Sequence, residues 1–169
     1  MFGAVINKYG DTSVLEYNDL LGEPKPKANQ VLVEIYASSV NPIDLMKRQG
    51  YGKAIFEKQR LASFPWILGS DFAGIVKEVG TKVSKFSKGD EVWGCTSHAS
   101  HGCYAQYGVF DLDEIDFKPS NITFNEAASL PYVALTTWAA LIRWASLRPQ
   151  DVENKKVFVQ AGAGGVGTF

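Results

Sequence analysis

The sequence predicts a mainly β barrel with flanking helices, followed by the first strand and glycine loop of an α/β unit. Three observations predict it. Short segments rich in β-branched and aromatic residues fill the first two-thirds of the chain. Helical spacing takes over at Thr123. Near the end, an apolar strand pattern runs directly into a run of glycines.

Taken in order, strands are expected over Ala4 to Asn7, Val14 to Tyr17, Val31 to Ala37, Phe72 to Val79, Glu91 to Gly94 and Tyr104 to Val109. Turn-forming Tyr9-Gly10-Asp11, Glu23-Pro24-Lys25-Pro26 and Lys88-Gly89-Asp90 separate them. Val31 to Tyr36 half-alternates, as a strand with one wet face should. So many short, punctuated strands suggest a sandwich or a partly open barrel. Gly50 to Pro65 reads as a loop of about 15 residues, long enough to suggest a functional role. Thr123-Phe124-Asn125-Glu126 is a capping box, in which the Thr and Glu side chains satisfy free N–H groups at a helix start. From Tyr132 to Leu147, Leu135, Trp138, Leu141, Ile142 and Ala145 fall at helical spacing, and Arg148-Pro149-Gln150-Asp151 ends the run. Lys155 to Gln160 reads as a buried strand. The expected division is residues 1–121 for the barrel and 122–169 for a connecting helix and the start of a second, incomplete domain.

Composition narrows the function classes. Of 169 residues, 46% are hydrophobic and 21% charged, enough to bury a core and unlike a disordered tail. A net charge of -1, with Lys and Arg scattered, argues against nucleic-acid binding. Two cysteines, Cys95 and Cys103, make no disulfide framework, so a reducing, intracellular setting is the simpler reading. No apolar run approaches the roughly 20 residues that span a bilayer. The chain opens on what reads as a first strand with no basic leader; a removed targeting peptide would be invisible.

Two motifs carry chemistry. Gly162-x-Gly164-x-x-Gly167, with Gly165 and Val166 between, has the dinucleotide-binding spacing and follows a predicted strand. Glycines there allow a tight turn and close approach to a pyrophosphate, although the spacing alone fits a plain Gly-rich turn as well. Cys95-x-x-His98-x-x-His101-x-Cys103 gathers four zinc-binding residue types, but structural zinc sites usually separate their ligand pairs by longer stretches. No metal is expected there, and free, partly buried thiols are the reading adopted.

Five stretches appear in a telling order: Ser39-Val40-Asn41-Pro42-Ile43-Asp44, Leu68 to Gly74, Lys88 to Trp93, Ala128 to Trp138, and Gly164 to Phe169. Together they resemble the zinc-independent quinone oxidoreductase branch of the medium-chain dehydrogenase/reductase superfamily, and within it the reticulon-4-interacting protein 1 subgroup. The resemblance implies a GroES-like catalytic barrel and then the start of a truncated Rossmann domain. The activity it implies is reduction of a quinone or α,β-unsaturated carbonyl by NADPH, with NADH not excluded. It also implies a mitochondrial setting and leaves room for a homodimer of the longer protein.

Zinc-dependent relatives place Cys at Asn41 and His at Ser70, so no metal is implied at these positions. Asn41 is the implied contact to the nicotinamide or its ribose and a catalytic candidate, against a plain turn start at Asn41-Pro42. Thr136 is implied at the cofactor with Pro131 and Tyr132 lining the same helix start, against an ordinary threonine bonding its own preceding turn. Tyr51 stands where relatives carry an aromatic over the substrate cleft, either donating a proton or packing. Met46 replaces a tyrosine of some quinone reductases. The alternative is a non-catalytic GroES-like interaction module, using Phe56, Leu61, Phe64 and Trp66 as an apolar patch.

Overall fold

The computed structural model describes residues 1–58, 63–97, 102–148, 150, 153 and 155–169. Strand β1 (Gly3–Ile6) pairs antiparallel with β2 (Leu15–Asn18) and β4 (Trp66–Ile67) in a three-stranded sheet. The other strands are β3 (Gln30–Ala37), β5 (Asp71–Val79), β6 (Glu91–Cys95), β7 (Tyr107–Asp111) and β8 (Ile115–Phe117). They form a five-stranded sheet in the order β7-β3-β5-β6-β8. The stretch just before β7 stitches the two sheets: the Ala4 N–H donates to Tyr104 O at 2.8 Å and the Ile35 N–H to Gln106 O at 2.8 Å. The result is a half-barrel, as the punctuated strand pattern predicts.

Phe72 and Phe110 stack at the centre, with ring centroids 3.6 Å apart, among Val31, Val33, Val76, Val92 and Ile115. Here β3 departs from expectation. Val31, Leu32 and Val33 are all buried, so the predicted wet face is lost at its start. Val31 and Val33 join the core cluster around Phe72 and Leu32, outside that cluster, is buried as well, so both faces of the strand are covered here; the extra residue at the nearby register shift is Lys77 of β5. Strand β7 begins at Tyr107 rather than Tyr104, since residues 104–106 are spent joining the sheets. Thr12–Val14 is a 3-10 turn, so the predicted second strand starts one residue late.

The expected long loop contains helix. Helix α1 (Pro42–Arg48) is followed by α2 (Lys53–Lys58), with Gly50 and Gly52 at φ of +96° and +76° supplying the left-handed turn between them. Phe56 and Trp66 are buried together with Ile6, Val14 and Leu68. They are core, so they form no surface patch. Phe64 packs edge-on to Tyr9, and Leu61 lies outside the described residues.

The Thr123–Glu126 capping box forms, opening α3 (Phe124–Ala128), whose Ala127 and Ala128 pack on Ala73 of β5. Helix α4 (Pro131–Trp138) then starts afresh with Pro131 in its first turn and widens into a π-type stretch over Ala139–Trp144. The predicted strand at 155–160 does not form. Val157, Phe158 and Val159 are 56%, 90% and 54% exposed. A strand needs a neighbour to take its N–H and C=O groups, and none is present among the described residues. Residues 164–168 make one helical turn, α5 (Gly165–Thr168).

Candidate functional site

The site is built on the start of α1. Asn41 is the N-cap and Pro42 opens the first turn, which suits proline because it lacks the N–H a helix start leaves unpaired. Asp44, the third helical residue, closes a capping box with Asn41: its Oδ2 accepts from the Asn41 backbone N–H at 2.9 Å. The same carboxylate reaches inward. Oδ1 accepts from the Ser70 hydroxyl at 2.9 Å and Oδ2 from the Tyr104 hydroxyl at 3.1 Å. Gly69 makes the last contact feasible. It sits at φ +100°, and a Cβ there would lie 2.5 Å from the Tyr104 ring.

A second buried carboxylate, Asp71 at the head of β5, gathers three elements. Its Oδ2 accepts from the Ser39 hydroxyl at 2.5 Å and from the Asn41 side-chain amide at 2.8 Å. Its Oδ1 accepts from the Tyr132 backbone N–H, in the first turn of α4, at 2.7 Å. The Asn41 amide also donates to Ser39 Oγ at 3.1 Å.

No Lys or Arg forms an ion pair with either carboxylate among the described residues. Burial therefore raises the Asp71 pKa above its ordinary 3.8, opposed by the hydrogen bonds from Ser39, Asn41 and Tyr132. Lys47, three residues after Asp44 on the same helix and also buried, is held below its usual range by desolvation, with the Asp44 charge acting against it. Burial, and then the Asp44 charge, pushes the Tyr104 phenol far above its usual value. The Cys95 thiol is pushed up to about 12, mainly by burial, and Cys103 is raised for the same reason. These are inert thiols.

A cleft of about 570 Å³ opens beside this cluster, lined by Cys95, Thr96, Tyr132, Leu135, Thr136 and Trp144. Thr136 therefore faces the cleft, while its hydroxyl donates to Tyr132 O one turn back at 2.7 Å. The glycine loop lies against the far side of α4. The Thr137 hydroxyl donates to Val166 O at 3.2 Å, and a Cβ on Gly165 would be 3.0 Å from the Val133 side chain. Gly167 admits no side chain, because its Cβ would fall 2.4 Å from Ala161 O. Gly162 leaves ordinary room for a side chain, whereas a Cβ on Gly164, the cap of α5, would lie 3.3 Å from Ala161 O. Asn41 is thus linked through Asp71 to the start of α4, Thr136 faces the cleft, and the glycine loop meets the opposite side of α4. Tyr51 is apart from them, 62% exposed beyond the end of α1, where its ring is not packed. His98 and His101 lie outside the described residues. Among the described residues no three His, Cys, Asp or Glu side chains gather as metal ligands.

This arrangement, a half-barrel whose first helix is linked to α4 through Asp71 and whose glycine loop packs on α4, can be set beside known proteins. Residues 27–130 match the model of the alcohol dehydrogenase GroES-like domain. The chain belongs to that family. The human mitochondrial NAD(P)H oxidoreductase RTN4IP1 is 38% identical over 98% of this chain and 44% of its own length. The Arabidopsis thaliana chloroplastic NADPH-dependent alkenal/one oxidoreductase is 33% identical over 98% of the chain and 42% of its own. The quinone oxidoreductase structure from Coxiella burnetii superposes with a TM-score of 0.85 at 34% identity, over 99% of this chain and 51% of that one. The chain thus spans about half the length of the relatives it matches, and that half is the N-terminal, barrel part of the medium-chain dehydrogenase/reductase architecture.

Asp44, Asp71, Ser39 and Tyr104 are the site residues that sequence reasoning misses. A signal exists for Asp71: an acidic residue directly before Phe72-Ala73, at the head of an otherwise apolar strand, cannot be buried without dedicated donors. Tyr104 carries no comparable signal, because its partner lies 60 residues away.

Proposed function

We propose that this chain is the N-terminal portion of a zinc-independent, NAD(P)H-dependent oxidoreductase that reduces quinones or α,β-unsaturated carbonyls. The observation that carries the reading is the state of the two buried carboxylates. Asp44 accepts from the Asn41 N–H, Ser70 and Tyr104; Asp71 accepts from Ser39, Asn41 and the Tyr132 N–H. Both are saturated by neutral donors, and Asn41 and Ser70 stand where zinc-dependent relatives hold Cys and His. A donor set of hydroxyls and amides fits hydrogen-bonded organic ligands better than zinc.

A bound nicotinamide would supply a hydride. In this reading Asn41 meets the nicotinamide or its ribose, and Thr136, Pro131 and Tyr132 line its approach. Gly162, Gly164, Gly165, Val166 and Gly167 turn around its pyrophosphate, and the tight packing at Gly165 and Gly167 supports that role. Tyr51, exposed beyond the end of α1, belongs to the substrate side. Residues 1–121 form the catalytic barrel and 122–169 open the cofactor domain. Reduction of a conjugated carbonyl places charge on a delocalised enolate or phenolate, which hydrogen bonds can stabilise without a metal. The name of the Arabidopsis relative favours NADPH and an enone, that of the Coxiella structure a quinone, and that of the human relative a mitochondrial setting.

The test is NADPH consumption by the protein extended through a cofactor domain, with a small quinone, an enone and a primary alcohol side by side. Quinone or enone turnover with negligible alcohol oxidation is expected, and Asn41→Ala should lower it by about one to two orders of magnitude. Robust alcohol oxidation, or full activity after Asn41→Ala, would overturn the reading.

A further inference from the structure

We infer that Asp71 is a positioning residue that fixes which end of the Asn41 amide a ligand can meet. The argument starts from what a carboxylate can do. Ionised, it only accepts, so any amide facing it must present its NH2 group. Asn41 accordingly donates to Asp71 Oδ2 at 2.8 Å, and donates again to Ser39 Oγ at 3.1 Å. Ser39 in turn donates its own proton to Asp71 Oδ2, which leaves its oxygen free to accept from Asn41. The two acceptors lie 2.5 Å apart on one side of the Asn41 NH2, so the nitrogen end of the amide is turned to Asp71 and the carbonyl oxygen is its other end. Its carbonyl oxygen, turned toward the first turn of α1, keeps a lone pair beyond the capping box and is the atom left for a ligand. The group that meets Asn41 is therefore a donor, a hydroxyl or an amide N–H.

Orientation is enforced from the opposite oxygen. Asp71 Oδ1 accepts from the Tyr132 backbone N–H at 2.7 Å, and a backbone donor cannot be reversed. In Asp71→Asn, the one carbonyl oxygen of the new amide must stay on Tyr132. Its NH2 then faces the Asn41 NH2, donor against donor, while the Ser39 hydroxyl can turn to accept. Asn41 resolves the conflict by rotating its amide half a turn and sending its own NH2 outward. One isosteric substitution thus inverts the polarity that Asn41 offers, without deleting an atom of Asn41. The inference deepens the proposed role of Asn41, but the geometry it describes is internal to the barrel and needs no cofactor.

The experiment is hydrogen exchange of the side-chain NH2 groups in ¹⁵N-labelled 169-residue chain, read against exposed Asn121 and Asn125. The Asn41 NH2 should exchange at least about tenfold more slowly than these references, as expected for a buried bond to a charged acceptor. Ser39→Ala should leave most of that protection, since Asp71 still holds the amide. Asp71→Asn should remove it while the backbone spectrum stays dispersed. Should Asp71→Asn fail to fold, acidification of the unaltered chain decides: protonating Asp71 should release the Asn41 NH2 with a midpoint above 3.8. An Asn41 NH2 as labile as the references, or protection that persists after Asp71→Asn or through acid titration, overturns the inference. Failure of the proposed function would show instead as no NADPH-dependent turnover in the extended protein, with these exchange rates unchanged.

Discussion

The half-barrel and the segment after Ser129 are made of similar residues and have opposite fates. Val31, Val33, Phe72 and Phe110 are at or near zero exposure, whereas Val157 and Val159 are about half exposed and Trp144 and Phe158 80% and 90%. Both regions carry apolar, β-branched and aromatic sequence. In the barrel β1, β3, β5 and β6 have neighbours on both sides and their core-facing side chains are covered, whereas the edge strand β2 is paired and yet exposed. In the C-terminal segment the strand pattern has no partner strand among the described residues, and α4 has a bare outer face. A hydrophobic pattern is thus a necessary condition for a buried strand. Pairing is a second condition and cover from a packed layer a third, since β2 is paired along its length and still exposed.

The largest test of that contrast is a pair of identical truncations. Phe72→Ala should cost about 3–5 kcal/mol, because it breaks the 3.6 Å stack with Phe110 and leaves a cavity among β-branched neighbours. Phe158→Ala should change stability by less than about 0.5 kcal/mol, as expected for an exposed side chain. Urea denaturation of both variants measures this. Equal losses would mean that the C-terminal segment is packed in solution and that the contrast is wrong.

A smaller effect is expected where the two regions meet. Helix α3 rests on Ala73 and leads into α4, and its start is held by the Thr123 hydroxyl accepting from the Glu126 N–H at 3.3 Å. Thr123→Ala should cost about 1 kcal/mol, read from the same denaturation curves. A larger loss would show that α3 couples the regions more tightly than its short packing against β5 suggests.

The smallest effect concerns pH and sharpens the picture of a dry barrel floor. Burial raises the Cys95 thiol to about 12, so it stays protonated in the fold at pH values where an unfolded thiol ionises. The sign follows. A raised pKa contributes stability that is full below the unfolded value of 9.0 and is lost as pH rises toward about 12. Alkylation of native Cys95 at pH 8 should be slow, rising through pH 10 without a plateau, whereas denatured chain should level off near pH 9. Mass spectrometry after timed iodoacetamide exposure reads both. A native plateau near pH 9 would show that burial at the cleft does not hold the Cys95 thiol protonated.

The sequence alone proposes candidates for the site without its geometry. Asn41, Pro131, Thr136 and the glycine loop come from motifs, and the fold puts Thr136 on the cleft and the loop on the opposite side of α4. Two departures from the sequence reading have physical causes. Gly50 to Pro65 contains a helix because Gly50 and Gly52 turn the chain at positive φ, and once turned, Phe56 can reach Trp66. Thr136 faces the cleft and also bonds its own preceding turn, so the two readings of it are not exclusive.

What the sequence determined by itself is local and periodic: the strand-rich barrel, the Thr123 cap, the glycine turn and the lack of a disulfide framework. Each depends on residues within a few positions of one another. What only the tertiary structure decided is how a buried charge is satisfied. Asp71 draws Ser39 and Asn41 from one segment and Tyr132 from another, and Asp44 draws Ser70 and Tyr104. No spacing rule encodes those partners, because a carboxylate leaving water requires donors wherever the fold can bring them.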